Sequence, residues 1–446
     1  MSVPHLTRRT IGGYAAGSVG TGGFGVLPGL VLAYYLTDTL AVPAVLAAIV
    51  VVIPKAIDVV INPWIGARSD AARQATGRRT SLMRLGALTI VPLFVLTFCT
   101  PVAAGPALGA AWVLLAFSLT AVAYACFQVP YIALPAELTS DYHERTRLVS
   151  ARIVVLAVTI LVVGAGAPAI RDALGGGPLG YAVMAVVAAA LIGGGMWIST
   201  QIAGRAASEP EDGSPDQPGN HSPGRRASAF AALRSNRHYR ILLAVYVIQA
   251  LASAVMLAGA QYLATYVLDD KTALTPLFVA LVAPALIVMP VWTRLARRIG
   301  KLWSLVAAST CFVVGAVGLG GAIAAPGAWV FALVALCGVG YSGMQTFPLA
   351  MLPDVIDEHA RATGSEQGGA LSGLWTAGET VGLALGPGVF LLVLAASGFV
   401  SSSSGETAAQ PHSAEVGIAA GFSLLPAALV AVSLLLLFRY EKDARR

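Results

Sequence analysis

Charge is scarce in this chain: Asp, Glu, Lys and Arg make up 11% of 446 residues. A soluble domain carries about 25%. With hydrophobic residues at 57%, the shortage excludes a soluble globule and leaves a membrane protein. Cysteine is also rare. Cys99, Cys126, Cys311 and Cys337 lie in or at the ends of apolar runs, without metal spacing. They read as free thiols that serve as small packing residues. The six histidines include no pair at metal-ligand spacing, so no metal site is expected. No nucleophile elbow, P-loop or zinc signature occurs, and no cofactor is implied. A multispan enzyme would need a polar domain or an acidic catalytic loop at the membrane face. The chain has neither.

What is present is a series of apolar runs near the roughly 20 residues that a bilayer core requires. Twelve are expected, at about 11–36, 43–65, 82–101, 107–134, 149–170, 180–202, 241–267, 274–295, 302–324, 327–351, 370–396 and 414–438. The first follows an Arg8-Arg9 head. It is longer than the apolar part of a signal peptide, so no cleavage is expected.

Of the 28 Lys and Arg residues, only Arg171 and Lys271 fall on one set of loops, and Lys55 lies inside a span. The rest face the opposite side, which the positive-inside rule makes cytoplasmic. Both termini belong to that side of a multi-pass protein of the cytoplasmic (inner) membrane. The net charge of +6 marks topology rather than a nucleic-acid surface, because the basic residues lack interleaved aromatics. The expected partners are membrane lipid and a small-molecule solute, with the chain a monomer and no nucleic acid involved.

The one long polar stretch, rich in Pro, Gly and Ser, divides the spans six and six and is expected to be disordered or only partly helical. This gives an N-terminal half at 1–202, a cytoplasmic central loop at 203–240, a C-terminal half at 241–438 and a tail at 439–446. Ser401–Ser404 reads as a flexible outer loop. The halves repeat. Leu134-Pro135-Ala136-Glu137 after span four matches Leu352-Pro353-Asp354 after span ten. Gly77-Arg78-Arg79 after span two matches Gly300-Lys301 after span eight. Both offsets are about half the chain. Secondary transporters are commonly built from such repeats, with a site near the bilayer midplane.

Span two holds the most informative charges. Lys55, Asp58 and Asn62 are three and four residues apart, so they share one helix face. Each ionised group costs about 2.5–3.5 kcal/mol to insert, so it must pair or line a wet path. The alternatives are a structural ion pair that orients the helix and a solute or ion site. Glu379 is the other acid well inside a span. It can instead reach water near the span end.

Several motifs carry a resemblance. Lys55-x-x-Asp58-x-x-x-Asn62-Pro63-x-x-Gly66-x-x-Ser69-Asp70 followed by Gly77-Arg78-Arg79 is similar to the span-two signature of the glycoside–pentoside–hexuronide:cation symporters, the melibiose permease-like branch of the major facilitator superfamily. Pro130-Tyr131-x-Ala133-Leu134-x-x-Glu137-Leu138-x-x-Asp141-x-x-Glu144-Arg145-Thr146-Arg147-Leu148 resembles the same family's span-four loop. Tyr34-Tyr35-x-Thr37-Asp38 fits the end of span one. Asp354-x-x-Asp357, Thr363-Gly364 and Gly382-x-Ala384-x-Gly386 match the entry to span eleven more loosely. The resemblance implies an all-α membrane protein of twelve helices in two six-helix pseudo-repeats, working as a secondary active transporter by alternating access. It implies a sugar or glycoside as solute.

The departures shape the coupling. Sodium-coupled relatives build their cation site from acids on spans one, two and four. Here those positions are Gly22, Asn62 beside the retained Asp58, and Gln128. A lysine expected on span eleven is Thr380, and tryptophans expected around the sugar are Ile132 and Gln345. One aspartate near Lys55 makes a poor sodium cage. Coupling is therefore expected to use protons rather than sodium, through Asp58, Lys55 and Glu379. Asn62, Tyr124, Gln128, Arg152, Gln345 and Trp375 are the candidates for solute contact. For each glutamine the alternative is interhelical bonding, worth about 0.6 kcal/mol. For Tyr124 and Trp375 it is ordinary packing, and for Arg152 a positive-inside anchor. Gating networks are expected from Asp70 with Arg78 and Arg79, from Glu137 and Asp141 with Arg145 and Arg147, and from Asp354 and Asp357. An exporter of an amphipathic natural product or lipid on the same fold remains the alternative function.

Overall fold

A computed structural model describes residues 6–76, 79–101, 105–139, 141–207, 236–363, 368–403 and 408–444. Most of the expected central loop, Arg78 and Ser404 lie outside the described residues. The described chain is helical, with Leu40 and Ser403 forming an isolated antiparallel bridge.

Eleven described helical stretches are long and apolar enough to cross a membrane. One of them, Lys271–Ile323, is 53 residues long and holds two crossings. Its helix Leu274–Leu319 breaks at Gly300, where φ is 82° and ψ 165°. That is a left-handed backbone, which glycine adopts without steric cost. Spans eight and nine thus meet at one residue, and the chain makes the twelve crossings expected.

Local sequence sets the helix starts. Thr7 accepts a hydrogen bond from the Thr10 amide (3.1 Å), Asp141 from Glu144 (2.8 Å) and Asn236 from Tyr239 (2.9 Å). Each cap satisfies an amide that the first turn leaves without an intrahelical partner. Helix one, Arg8–Leu27, continues through π-helical turns at Pro28–Leu32 and Tyr35–Thr39. Proline lacks the amide that an α-helical bond needs, and the wider turn absorbs it.

Helices two, four and ten overrun the expected spans. Ala44–Thr76, Gly105–Leu138 and Trp329–Thr363 carry the segments read from sequence as loops, Pro135 and Pro353 included. Ion pairs between helix ends explain the overrun. Arg79 meets Asp70 and Glu137, each at 2.5 Å, and Arg73 meets Glu137 at 2.9 Å. Lys301 meets Asp354 at 2.6 Å. Apolar runs end where a helix leaves the bilayer, but the helix itself continues while its charges find partners.

The chain forms two compact units, Met1–Ser214 with Val400–Ala409 and Pro215–Phe399 with Gln410–Arg446. In the first, span one packs on spans five and six, span two on four, and span three on four and six. In the second, span seven packs on eleven and twelve, and the joined spans eight and nine pack on ten and twelve. With spans eight and nine taken together, the pairings of the second unit correspond to those of the first, as in pseudo-repeats.

Ser401–Ser403 is not free-standing, contrary to the sequence expectation. The Ser402 amide donates to Thr37 O (2.9 Å) and Ser401 Oγ donates to Val42 O (2.9 Å), both within the first unit. Nearby, the Arg171 guanidinium is buried, bonded to Asp172 (2.6 Å) and Tyr181 (3.3 Å). It is thus helix-borne rather than part of a loop.

Candidate functional site

In the first unit, span two delivers Lys55, Asp58 and Asn62 to a cluster with spans one, four and five. Asp58 is 7% exposed, and one carboxylate oxygen has no hydrogen-bond partner. The Asn62 oxygen and the Gln128 oxygen are buried without partners as well. Lys55 does not form a direct ion pair with Asp58, so the structural ion pair considered from sequence is not made. Lys55 attracts Asp58 at longer range while its ammonium lies 5.3 Å from the centre of the Phe24 ring.

Phe24 stacks on Tyr124 at 4.3 Å. Tyr124 in turn lies in the electrostatic reach of both Asp58 and Arg152. The Arg152 guanidinium sits 5.2 Å over the Tyr131 ring, which stacks on Tyr14 at 4.8 Å. Tyr131 donates to Tyr14 O (2.8 Å) and its hydroxyl meets Ser18 Oγ (3.1 Å). Tyr14, Ser18 and Thr21 share one face of span one; the Thr21 hydroxyl is buried without a partner, and the Tyr14 hydroxyl interacts with Arg152. Unpartnered buried polar atoms are costly, at about 1–3 kcal/mol each. A group of them around two cations and a carboxylate suits a solute with hydroxyls.

Sequence reading missed Tyr14, Ser18, Thr21 and Phe24, and took Tyr131 only as part of a motif. A usable signal was the placement of Tyr14, Ser18 and Thr21 at helical spacing in a glycine-rich span. Gly22, where an acid was expected, faces Leu156 and Thr159 so closely that an added Cβ would meet Leu156 Cδ1 at 3.1 Å. A side chain there requires Leu156 to give by a few tenths of an ångström.

A second cluster lies in the second unit. Tyr246 stacks on the buried Trp375 at 4.6 Å, and Tyr239 meets Trp375 edge-on. Glu379 lies in the field of Tyr246 and Tyr341, and Gln345 donates to the Tyr341 hydroxyl at 3.4 Å. The Trp375 indole nitrogen and the Tyr246 hydroxyl are buried, and Tyr246 interacts with both Glu379 and Trp375. Thr380, in the place of the expected lysine, bonds back to Thr376 O of its own helix (2.9 Å). The candidate residues therefore fall into two groups, one per unit. Gln249 bonds Ser309 (3.0 Å) and Ser433 (3.1 Å), tying helices together, and Gln261 bonds Thr265 and Lys271 O.

The charged helix ends form a different network from the one expected. Asp70 does pair with Arg79, but Glu137 pairs with Arg73 and Arg79 rather than with Arg145 and Arg147. Arg145 donates to Thr139 O (3.1 Å), and Asp141 caps span five. Asp354 takes Lys301, and Asp357 is exposed.

A family model described as MFS/sugar transport protein matches residues 13–444. The chain belongs to this family. It is an integral, multi-pass transporter of the major facilitator superfamily, not an enzyme, and the fold expected from sequence is the fold observed. An uncharacterized symporter of Synechocystis sp. is 25% identical, with 92% of this chain and 89% of the relative covered. The presumptive glycoside/cation symporter YagG of Escherichia coli is 24% identical, covering 99% of this chain and 93% of the relative. Among solved structures, the nucleoside transporter NupG superposes with a TM-score of 0.66 at 12% identity, covering 99% of this chain and 100% of NupG. At that identity the likeness speaks for the MFS fold alone.

Proposed function

We propose that this chain is a proton-coupled symporter that moves a sugar or glycoside across the cytoplasmic membrane by alternating access. The family description and the names of its symporter relatives support a sugar-class solute and a coupling cation. One observation carries the choice of proton: Asp58 is a buried carboxylate with a free oxygen, and neutral residues occupy the surrounding acid positions at Gly22, Asn62 and Gln128. A sodium ion wants several hard oxygen ligands with negative charge nearby. A lone carboxylate with a lysine in range is better suited to gaining and losing a proton.

In this reading Asp58 carries the proton and Lys55 holds its charged form. Asn62, Tyr124, Gln128 and Arg152 are the solute-contact group of the first unit; Trp375 and Gln345 form the corresponding group of the second unit, where Glu379 is a further protonatable group. The Arg79–Glu137 and Lys301–Asp354 pairs brace each half as a body that rocks whole. Both termini face the cytoplasm, on the side with most Lys and Arg.

The test is uptake in proteoliposomes with imposed gradients. A pH gradient, interior alkaline, should drive accumulation with or without sodium. Accumulation driven by a sodium gradient alone, at equal pH across the membrane, would overturn the proton assignment.

A further inference from the structure

We infer that the cytoplasmic end of span eight is a docking site for an anionic phospholipid, with Arg294 and Arg298 on the headgroup phosphate and Ile287 and Val291 along an acyl chain. This rests on the orientation proposed above and on no part of the solute reading.

The two halves differ at this point. Aligned on Gly77 and Gly300, the last turns of span two carry Ala71, Gln74 and Ala75 where span eight carries Arg294, Arg297 and Arg298. In the first half the basic side chains of this end are engaged by protein. Arg73 and Arg79 pair with Glu137, and Arg68 lies 5.5 Å from the centre of the Trp64 ring. In the second half Lys301 takes Asp354. Arg294, Arg297 and Arg298 are exposed and form no ion pair among the described residues. Their own helix offers none, since Leu274–Leu319 contains no Asp or Glu. Arg294 and Arg298 are four residues apart, so two like charges stand together on one side of the helix. Topology asks for cations near the boundary, not for cations that share a face.

The same face continues into the bilayer as apolar surface. Ile287, Val291, Arg294 and Arg298 follow at helical spacing in one stripe. Ile287 is 76% exposed and Val291 56%. Ile287 lies about 10 Å deeper than Arg294 along the helix axis, inside the hydrocarbon layer. Trp292 is turned the other way, buried and donating to Val339 O (3.0 Å) and Ser342 Oγ (2.9 Å) of span ten. The stripe thus faces away from span ten. Past the Gly300 joint the exposed Trp303 adds an indole, a ring suited to headgroup depth. Paired guanidinium groups above an apolar stripe match a phosphate above a hydrocarbon chain. A zwitterionic lipid would cover the stripe but bring no net charge to balance the arginines.

The experiment uses the full chain in detergent micelles. Native mass spectrometry counts bound dioleoyl phosphatidylglycerol and dioleoyl phosphatidylcholine, which have identical acyl chains. The glycerol lipid should bind at least 10-fold tighter. Arg294→Gln with Arg298→Gln should bring it to the level of the choline lipid, with Arg297 and Lys301 left in place to hold the topology. Arg294→Lys with Arg298→Lys should keep most of the preference, and Arg68→Gln all of it. Equal binding of the two lipids, or a preference that survives in the glutamine variant, overturns the assignment. Loss of preference in Arg68→Gln also overturns it, by pointing to the whole basic side rather than to span eight. So does displacement of the lipid by glycerol phosphate at equal concentration, which would make this a site for soluble phosphate. If the double variant does not fold, Arg298→Gln alone replaces it: a loss of about fivefold is expected, and no loss overturns the assignment.

Discussion

The Lys55 ammonium lies 5.3 Å over the Phe24 ring, on span one, rather than on the Asp58 carboxylate one turn along its own helix. The contact joins spans one and two through a cation and an aromatic face, worth about 0.5–2 kcal/mol depending on desolvation. Phe24→Leu should lower stability by about that amount plus its lost stacking on Tyr124. It should also let Lys55 swing to Asp58 and weaken coupling. Thermal unfolding and accumulation ratios measure the two effects. An unchanged accumulation ratio would show that Phe24 only packs.

Asp58→Asn keeps the shape of the side chain and removes its titration. Under the proton reading, accumulation against a gradient should fall at least 10-fold while solute exchange at equal concentrations continues. Counterflow and pH-driven uptake, measured in the same vesicles, separate these steps. Full accumulation by the variant would assign Asp58 a structural role.

The two bracing ion pairs should differ in strength. Glu137 is 6% exposed and receives Arg73 and Arg79, whereas Lys301 and Asp354 are 45% and 61% exposed. Removing a shielded, doubly bonded carboxylate costs about 1.5–3 kcal/mol, from its hydrogen bonds to charged groups. A surface pair is worth about 0–1 kcal/mol. Glu137→Gln should therefore lower the unfolding temperature clearly, and Asp354→Asn only slightly. Equal shifts would refute this ranking.

Gly22, where the resemblance implies an acid, sits close against Leu156 and Thr159. Gly22→Asp should reduce folded yield, because its side chain runs into Leu156 and Thr159. Pairing it with Leu156→Ala should recover yield by opening room. Size-exclusion profiles of the two variants decide the matter, and a well-folded single variant would show that span five yields easily.

The spans and the two halves were legible because bilayer length and charge placement are local properties. The face shared by Lys55, Asp58 and Asn62 was legible for the same reason, being a matter of helical spacing. What stayed hidden depends on distant partners. Glu137 bonds Arg79, 58 positions away, which turned presumed loops into helix. Tyr14 and Tyr131, 117 positions apart, meet only once spans one and four are folded together. The Lys55–Asp58 contact is a different case: spacing makes it possible, but the lysine lies over an aromatic ring of another span and acts on Asp58 only at longer range.

Gly300 joins spans eight and nine with no slack. The two crossings therefore share a single hinge residue, and its positive φ, open to glycine without steric cost, sets the angle between them. A residue with a side chain in its place would strain the joint on both sides at once, so identity at this one position is constrained more tightly than in a longer connection.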